Sequence, residues 1–254
     1  MTLGGNVAVV FGGSRGVGRA CAALLAERGA DVAVVCRSNL REAEVTAQAV
    51  RAAGRRAHVV QCDIADDAQV AAAYREVREA LGPFRLLVSS AGVTTAFTPV
   101  RELSPAQWRA YVAVDLTGTF HILHHGAPYL EAAGGGCVVV VSSIASQMVP
   151  ARNAHGAAAK AGVDALVRVF AKEEARRGIR ANVVGIGLTE TEMGARAVES
   201  WHPDTLKRVV AGIPLGRIAT PEDVARSVVF LLGDEASYIT GKVLQVDGGQ
   251  FIGG

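Results

Sequence analysis

Val7-Ala8-Val9-Val10-Phe11-Gly12-Gly13-Ser14-Arg15-Gly16-Val17-Gly18 opens the chain with an apolar run, a glycine-rich turn and the first residues of an amphipathic segment. The run Val7 to Phe11 reads as a strand, because β-branched and aromatic side chains pack well on a pleated surface. Gly16 to Arg28 reads as a helix. Glycines at 12, 16 and 18 let the backbone turn tightly and lie close to a bound pyrophosphate. The helix start adds free N–H groups and a positive dipole end. The spacing, Gly12-x-x-x-Gly16-x-Gly18, is not the common G-x-G-x-x-G, so its weight comes from its setting between a strand and a helix.

The same alternation continues down the chain. Strands are expected at Val32 to Cys36, His58 to Gln61, Leu86 to Ser89 and Cys137 to Val141, with helices at Leu40 to Ala53 and Asp66 to Leu81. Unbroken valine runs indicate burial on both faces of a parallel sheet. Strands that alternate with helices imply right-handed crossovers. The predicted class is therefore α/β, a single-domain doubly wound parallel sheet spanning residues 1–254. Ser104-Pro105-Ala106-Gln107 and Thr220-Pro221-Glu222-Asp223 mark two further helix starts. Gly134-Gly135-Gly136 reads as a turn into the fifth strand. The polar stretch at about 190–211, which holds Trp201 and His202, follows a strand end where a substrate lid would sit.

Composition narrows the function classes. The formal charge is only +2 and no long Lys/Arg run is present, which argues against nucleic-acid or membrane-surface binding. Apolar runs are too short to span a bilayer, and no secretion signal is visible at the N-terminus. Cys21, Cys36, Cys62 and Cys137 have neither metal nor disulfide spacing, so they read as small core residues in a cytoplasmic protein, with no metal site expected.

The glycine loop, Cys62-Asp63-Ile64, Ser89-Ser90-Ala91-Gly92 and the ending Ser237-Tyr238-Ile239-Thr240-Gly241 through Val246-Asp247-Gly248-Gly249 together resemble the short-chain dehydrogenase/reductase family over essentially the whole chain. The likeness is greatest to its β-ketoacyl-carrier-protein reductases. It implies a Rossmann fold and a nicotinamide dinucleotide. The implied cofactor-binding set is Gly12, Ser14, Arg15, Gly16, Val17, Gly18, Arg37, Asp63, Ile64, Ser90, Ala91, Gly92, Lys160, Gly187, Thr189 and Thr191. An acid at the end of the second strand would bind the ribose hydroxyls of NAD and repel a 2′-phosphate. The chain has Cys36-Arg37-Ser38 there, and Arg37 and Arg15 could both grip a phosphate, which favours NADP(H).

The family's catalytic group is Ser, Tyr and Lys with an Asn behind them. By resemblance Ser143 and Lys160 fill the Ser and Lys places, whereas the Tyr position is Gly156 and the Asn position is Asp115. The catalytic set expected here is Ser143, Lys160 and Asp115. Gly156 has no proton to give. His155 has a suitable pKa, but five residues on a helix turn about 140°, which faces it away from Lys160 unless the helix begins late. Its plain reading is an exposed or locally bonded histidine near a helix start. Tyr74, Tyr111, Tyr129 and Tyr238 read as packing or turn residues, Ser143 as a capping hydroxyl, and Asp115 as a partner of Lys160 directly or through water.

The 2,4-dienoyl-CoA reductases of the same family also lack this tyrosine and keep the lysine. The resemblance implies hydride transfer from NADPH to an enone, enoyl or activated ketone, as a small molecule or linked to an acyl carrier. Two alternatives stay open at this point. One is a nonredox cyclase, isomerase or dehydratase on the same scaffold. The other is a catalytically silent subunit paired with a related chain; otherwise the family implies a homotetramer or homodimer. The 190–211 stretch and the loop Val93 to Pro99 are expected to shape the substrate end.

Overall fold

The valine runs pair edge to edge. In the computed structural model, which describes residues 3–93, 97–199 and 201–252, β1 (Val7–Phe11), β2 (Asp31–Cys36), β3 (Ala57–Gln61), β4 (Leu86–Ser89), β5 (Gly136–Ser143), β6 (Ile179–Ile186) and β7 (Val243–Val246) form one seven-stranded sheet. The order is β3-β2-β1-β4-β5-β6-β7, and every pairing is parallel. The helices between them are α1 (Gly16–Glu27), α2 (Leu40–Ala52), α3 (Asp67–Leu81), α4 (Pro105–Val112), α5 (Gly118–Ala132), α6 (Ala145–Met148), α7 (Ala154–Glu174), α8 (Glu192–Val198), α9 (Pro203–Ala211) and α10 (Pro221–Leu232).

Alternating residues of each strand feed opposite layers. Ala8, Val10, Val32, Val34, Val88 and Val139 pack with α1, α2 and α10, through residues such as Leu25, Val50 and Val228. Val9, Phe11, Val35, Leu87 and Val138 pack on the other face with α3, α5 and α7, through Tyr74, Ile122 and Val167. A sheet covered on both faces is the doubly wound architecture the sequence led one to expect. All four cysteines are buried and free. Among the described residues, no helix is long and apolar enough to cross a membrane.

The expected elements fall within one or two residues of their predicted ends, and the largest difference is β5. It starts at Gly136 and continues to Ser143, because Ser142 and Ser143 still pair with Gly185 and Ile186 although they break the apolar run. Both predicted capping boxes form, at Ser104 with Gln107 and at Thr220 with Asp223.

Strand order reverses between β1 and β4. In such sheets the ligand crevice lies beyond the carboxyl ends of the strands at that switch point. The ends concerned are Phe11, Cys36, Ser89 and Ser143, which places the glycine loop and Ser143 on one rim.

Beneath this rim the second layer is pinned by Tyr74. Its ring stacks on Phe84 at 5.3 Å and Tyr129 at 5.6 Å, and its hydroxyl donates to the Ile122 carbonyl at 2.9 Å. Burial pushes the phenol well above its usual pKa, so Tyr74 serves as a packing residue and not as an acid. Tyr74→Phe should keep the packing and lose only that bond, at a cost of about 1 kcal/mol. Thermal denaturation reads this as a fall in Tm of roughly 2–4 °C for a chain of this size.

Candidate functional site

At the glycine-loop end of the cleft, backbone segments approach one another closely. Gly12 has φ +78, and a Cβ there would lie 2.7 Å from Ala91 N and from the Ser90 carbonyl carbon. A Cβ at Gly18 would overlap the Gly12 carbonyl oxygen and sit 2.7 Å from that carbonyl's carbon. The loop therefore threads where side chains have no room. Helix α1 is N-capped by Arg15 with no side-chain hydrogen bond, which leaves its first N–H groups for an anion. The turn is clamped from behind, because the Arg19 guanidinium donates to Ser14 O from Nε at 3.1 Å and Nη2 at 2.6 Å. Arg19 was not singled out in the sequence, where it reads as one more helix-surface arginine. These features fit a pyrophosphate.

Along the same cleft lie Val17, Arg37, Asp63, Ile64, Ser90, Ala91 and Gly92. Arg37 is exposed at the end of β2, and among the described residues it has no ion-pair partner. Asp63 accepts from Ala65 N at 3.0 Å, and Ile64 is buried beside Gly118. Arg15 departs from its expected place as a free phosphate ligand: Nη1 forms an ion pair with Glu192 of α8 at 2.7 Å. The pair is solvent-exposed and worth at most about 1 kcal/mol, so an incoming phosphate can compete for it.

At the other end, Lys160 Nζ pairs with Asp115 Oδ1 at 2.7 Å, directly and without an intervening water. Their side chains are 19% and 8% exposed. Asp115 sits in a π-helical turn, Ala113–Thr117, between α4 and α5, and Oδ2 accepts from Val93 N at 3.2 Å. Such turns displace a side chain from the regular helix register and cluster at functional sites. Gly92 allows the approach, since a Cβ there would stand 3.0 Å from Asp115 Oδ1. Ser143 lines the cleft and its Oγ accepts from Ala145 N at 3.1 Å, as expected of a capping hydroxyl, while its O–H remains a donor.

One expectation for this end is corrected. His155 is neither exposed nor locally bonded. It is 0% exposed, neither ring nitrogen has a hydrogen-bond partner among the described residues, and its ring lies 4.1 Å from that of Tyr111. Burial lowers its pKa, partly opposed by Asp115. Tyr111 in turn lines the cleft besides packing on His155. Both follow from α7 starting at Ala154 and docking against α4, a tertiary contact that periodicity cannot reveal. Two further residues were not anticipated. Asn153 is 7% exposed, lines the cleft and has an Oδ1 without a hydrogen-bond partner among the described residues. Asp164 is buried behind Lys160 on α7, and burial raises its pKa. Ser142 and Ser146 stand close to it, but neither hydroxyl reaches good hydrogen-bond geometry.

The stretch at 190–211 folds as α8 and α9 with no buried residue in either, and Ser200 lies outside the described residues. Thr191 caps α8 by accepting from Gly194 N at 2.9 Å, and Thr189 donates to Gly187 O at 3.0 Å. Met193, Val198, Trp201 and Val209 give this end of the cleft an apolar wall, with the Trp201 ring 5.5 Å from Phe97. Residues 94–96 of the loop Val93 to Pro99 fall outside the described residues.

Comparison with known proteins gives a consistent setting. The family described as enoyl-(acyl carrier protein) reductase matches residues 12–250. A cis-4-hydroxycyclohexanecarboxylate dehydrogenase of Sinomonas cyclohexanicum is 40% identical over 96% of each chain. A 3-oxoacyl-acyl-carrier-protein reductase of Staphylococcus aureus is 31% identical over 96% of this chain and 98% of its own. The structure of a short-chain type dehydrogenase/reductase from Mycobacterium ulcerans superposes with a TM-score of 0.93 at 30% identity, covering 98% of this chain and 91% of its own.

Proposed function

The chain belongs to the short-chain dehydrogenase/reductase family of oxidoreductases, and from that premise we propose that it is an NADP(H)-dependent reductase of conjugated or otherwise activated carbonyl compounds. The observation that carries this reading is the Lys160–Asp115 ion pair, intact in a nucleotide-shaped cleft beside a glycine at the family's tyrosine position. In this reading residues 1–254 are one NAD(P)-binding domain and 190–211 closes its substrate end.

When bound, NADPH supplies a hydride. The protein's part is to place the substrate and manage charge. Lys160 brings a positive charge to the cleft, Asp115 fixes its direction, and the Ser143 O–H donates to the substrate oxygen. Gly156 offers no acid, which suits a substrate whose oxygen need not be protonated at once. In a conjugated substrate the electron pair spreads onto oxygen as an enolate. A water held by Asp115 and Lys160 can then protonate carbon in a later step. A saturated ketone would instead yield a localised alkoxide, which needs an acid beside it. The apolar wall of Met193, Val198 and Trp201 fits a hydrocarbon ring or acyl chain, and the cyclohexane ring in the name of the Sinomonas relative is of that kind.

Cofactor choice rests on Arg37. NADPH and NADH titrations, followed by nucleotide fluorescence, should show tight binding of NADPH. Arg37→Ala should weaken NADPH by about 10- to 100-fold, the value of one or two charge-assisted hydrogen bonds, and leave NADH unchanged. Enones and activated ketones are then screened for NADPH oxidation. Binding of neither nucleotide by the wild type would overturn the reading in favour of a silent subunit.

A further inference from the structure

The charges that line the cleft are mostly accounted for. Lys160 is paired with Asp115, and Arg15 with Glu192. Arg37 and Asp63 stand just beyond the ends of β2 and β3, on the nucleotide side. His155 is buried and favours its neutral form. Among the described residues of the wall, the remaining charged side chain is Arg152. It belongs to the loop between α6 and α7, which follows Ser143 and leads into the helix of Lys160. Its carbonyl accepts from Thr98 N at 2.7 Å, and Asn153 bridges to Thr98, so the loop is tied to the segment that holds Phe97. Phe97 packs edge-on against Trp201, which places Arg152 at the apolar end of the cleft. The side chain is exposed, and among the described residues it makes neither an ion pair nor a hydrogen bond. Its backbone has φ +66, a conformation that costs glycine nothing and arginine something. No contact of the guanidinium within the described fold offsets that strain, and strain held at a cleft wall points to a ligand.

We propose that Arg152 binds a carboxylate carried by the substrate at a distance from its reacting carbonyl. The proposal rests on the reductase reading above and narrows its substrate class to acidic compounds. A guanidinium presents paired N–H donors that match the two oxygens of a carboxylate, and it keeps its charge at every working pH. A carboxylate there neutralises the charge that this end of the wall leaves uncompensated. A phosphate monoester, with nearly two negative charges at neutral pH, would exceed it. Lys160 does not compete for the acid, because its Nζ is already held by Asp115. The substrate therefore has one favoured orientation. Its acid turns to Arg152, its hydrocarbon part lies against Met193, Val198 and Trp201, and its carbonyl is left for Ser143 and Lys160. Arg152 takes no part in the chemistry in this arrangement; it selects and orients the compound.

The probes are cyclohexanecarboxylate and octanoate, each compared with its uncharged carboxamide. They are titrated calorimetrically into the full chain saturated with NADP⁺. Wild type should bind at least one of the acids about tenfold more tightly than its amide, the worth of one hydrogen bond between charged groups. Arg152→Gln and Arg152→Gly should each remove that preference, so that the acid binds no better than the amide, and should leave amide affinity where it was. Since glycine is at ease at φ +66, Arg152→Gly should unfold at or above the wild-type Tm. NADPH affinity should stay at the wild-type value in both variants. These two readouts separate the loss of a ligand contact from damage to the loop. Unchanged acid affinity in both variants, or a wild type that binds neither acid better than its amide, overturns the assignment of Arg152. Tighter binding of cyclohexyl phosphate than of either acid overturns the choice of a carboxylate. Failure of the wild type to bind NADP⁺ or NADPH sinks the reductase reading instead.

Discussion

Gly18→Ala is expected to abolish nucleotide binding while leaving the sheet intact. The added methyl would overlap the Gly12 carbonyl oxygen and stand 3.1 Å from Gly13 Cα, and all these atoms are backbone. No rotamer change can relieve the contact. The turn must shift, and the N–H groups at the start of α1 shift with it, away from the pyrophosphate they would hold. The Arg19 clamp on Ser14 resists the shift from behind, so strain stays in the loop and does not spread. A loss of at least about a hundredfold in NADPH affinity follows, close to 3 kcal/mol. The control is Gly212→Ala at the end of α9, where φ is −80 and a Cβ would meet only ordinary contacts at 3.4 Å. Fluorescence titration of the two variants decides the matter. Wild-type affinity in Gly18→Ala would mean that the nucleotide does not use this turn.

This part of the molecule could be read from sequence because each signal is local. A strand, a glycine turn and a helix start are written in consecutive residues, and the alternation of valine runs with amphipathic segments dictates a sheet covered on both faces. Likewise Asp115 and Lys160 could be picked out by their places in a motif, and the fold brings them to 2.7 Å. What could not be read depends on contacts between distant segments. The π-helical turn at Asp115 adds a small offset that leaves the apolar periodicity nearly unchanged, so nothing in the pattern signals it. His155 was judged by its angle to Lys160 on one helix, yet its environment is set by Tyr111 on another. Asn153 carries no signal of its own in the sequence. Only the backbone path of α7 shows that its carboxamide lies over Gly156.

These two residues explain one another. Glycine at 156 leaves room for the Asn153 carboxamide in the cleft wall, and the loop before Asn153 contains residues of unusual conformation. Val149 and Arg152, in the same loop, are the non-glycine residues with positive φ among those described, at +43 and +66. Such conformations cost about 1–3 kcal/mol each and persist where the surroundings enforce them, often at functional sites.

Lys160→Ala should reduce turnover of any substrate found by at least about a thousandfold, since it removes the cleft's central positive charge. It should also destabilise the fold. Asp115 is left with its charge unpaired at 8% exposure and, among the described residues, Val93 N as its side-chain hydrogen-bond partner, at a cost on the order of 3 kcal/mol. The two effects must be separated, because an unfolded variant is inactive for trivial reasons. The double variant Asp115→Asn/Lys160→Met does this. It keeps the size of both side chains, removes both charges together and retains an acceptor for Val93 N, so its denaturation midpoint should return close to wild type. Turnover should stay lost. Recovery of activity along with stability would show that the ion pair serves the fold alone. Full activity in Lys160→Ala would sink the proposed mechanism outright.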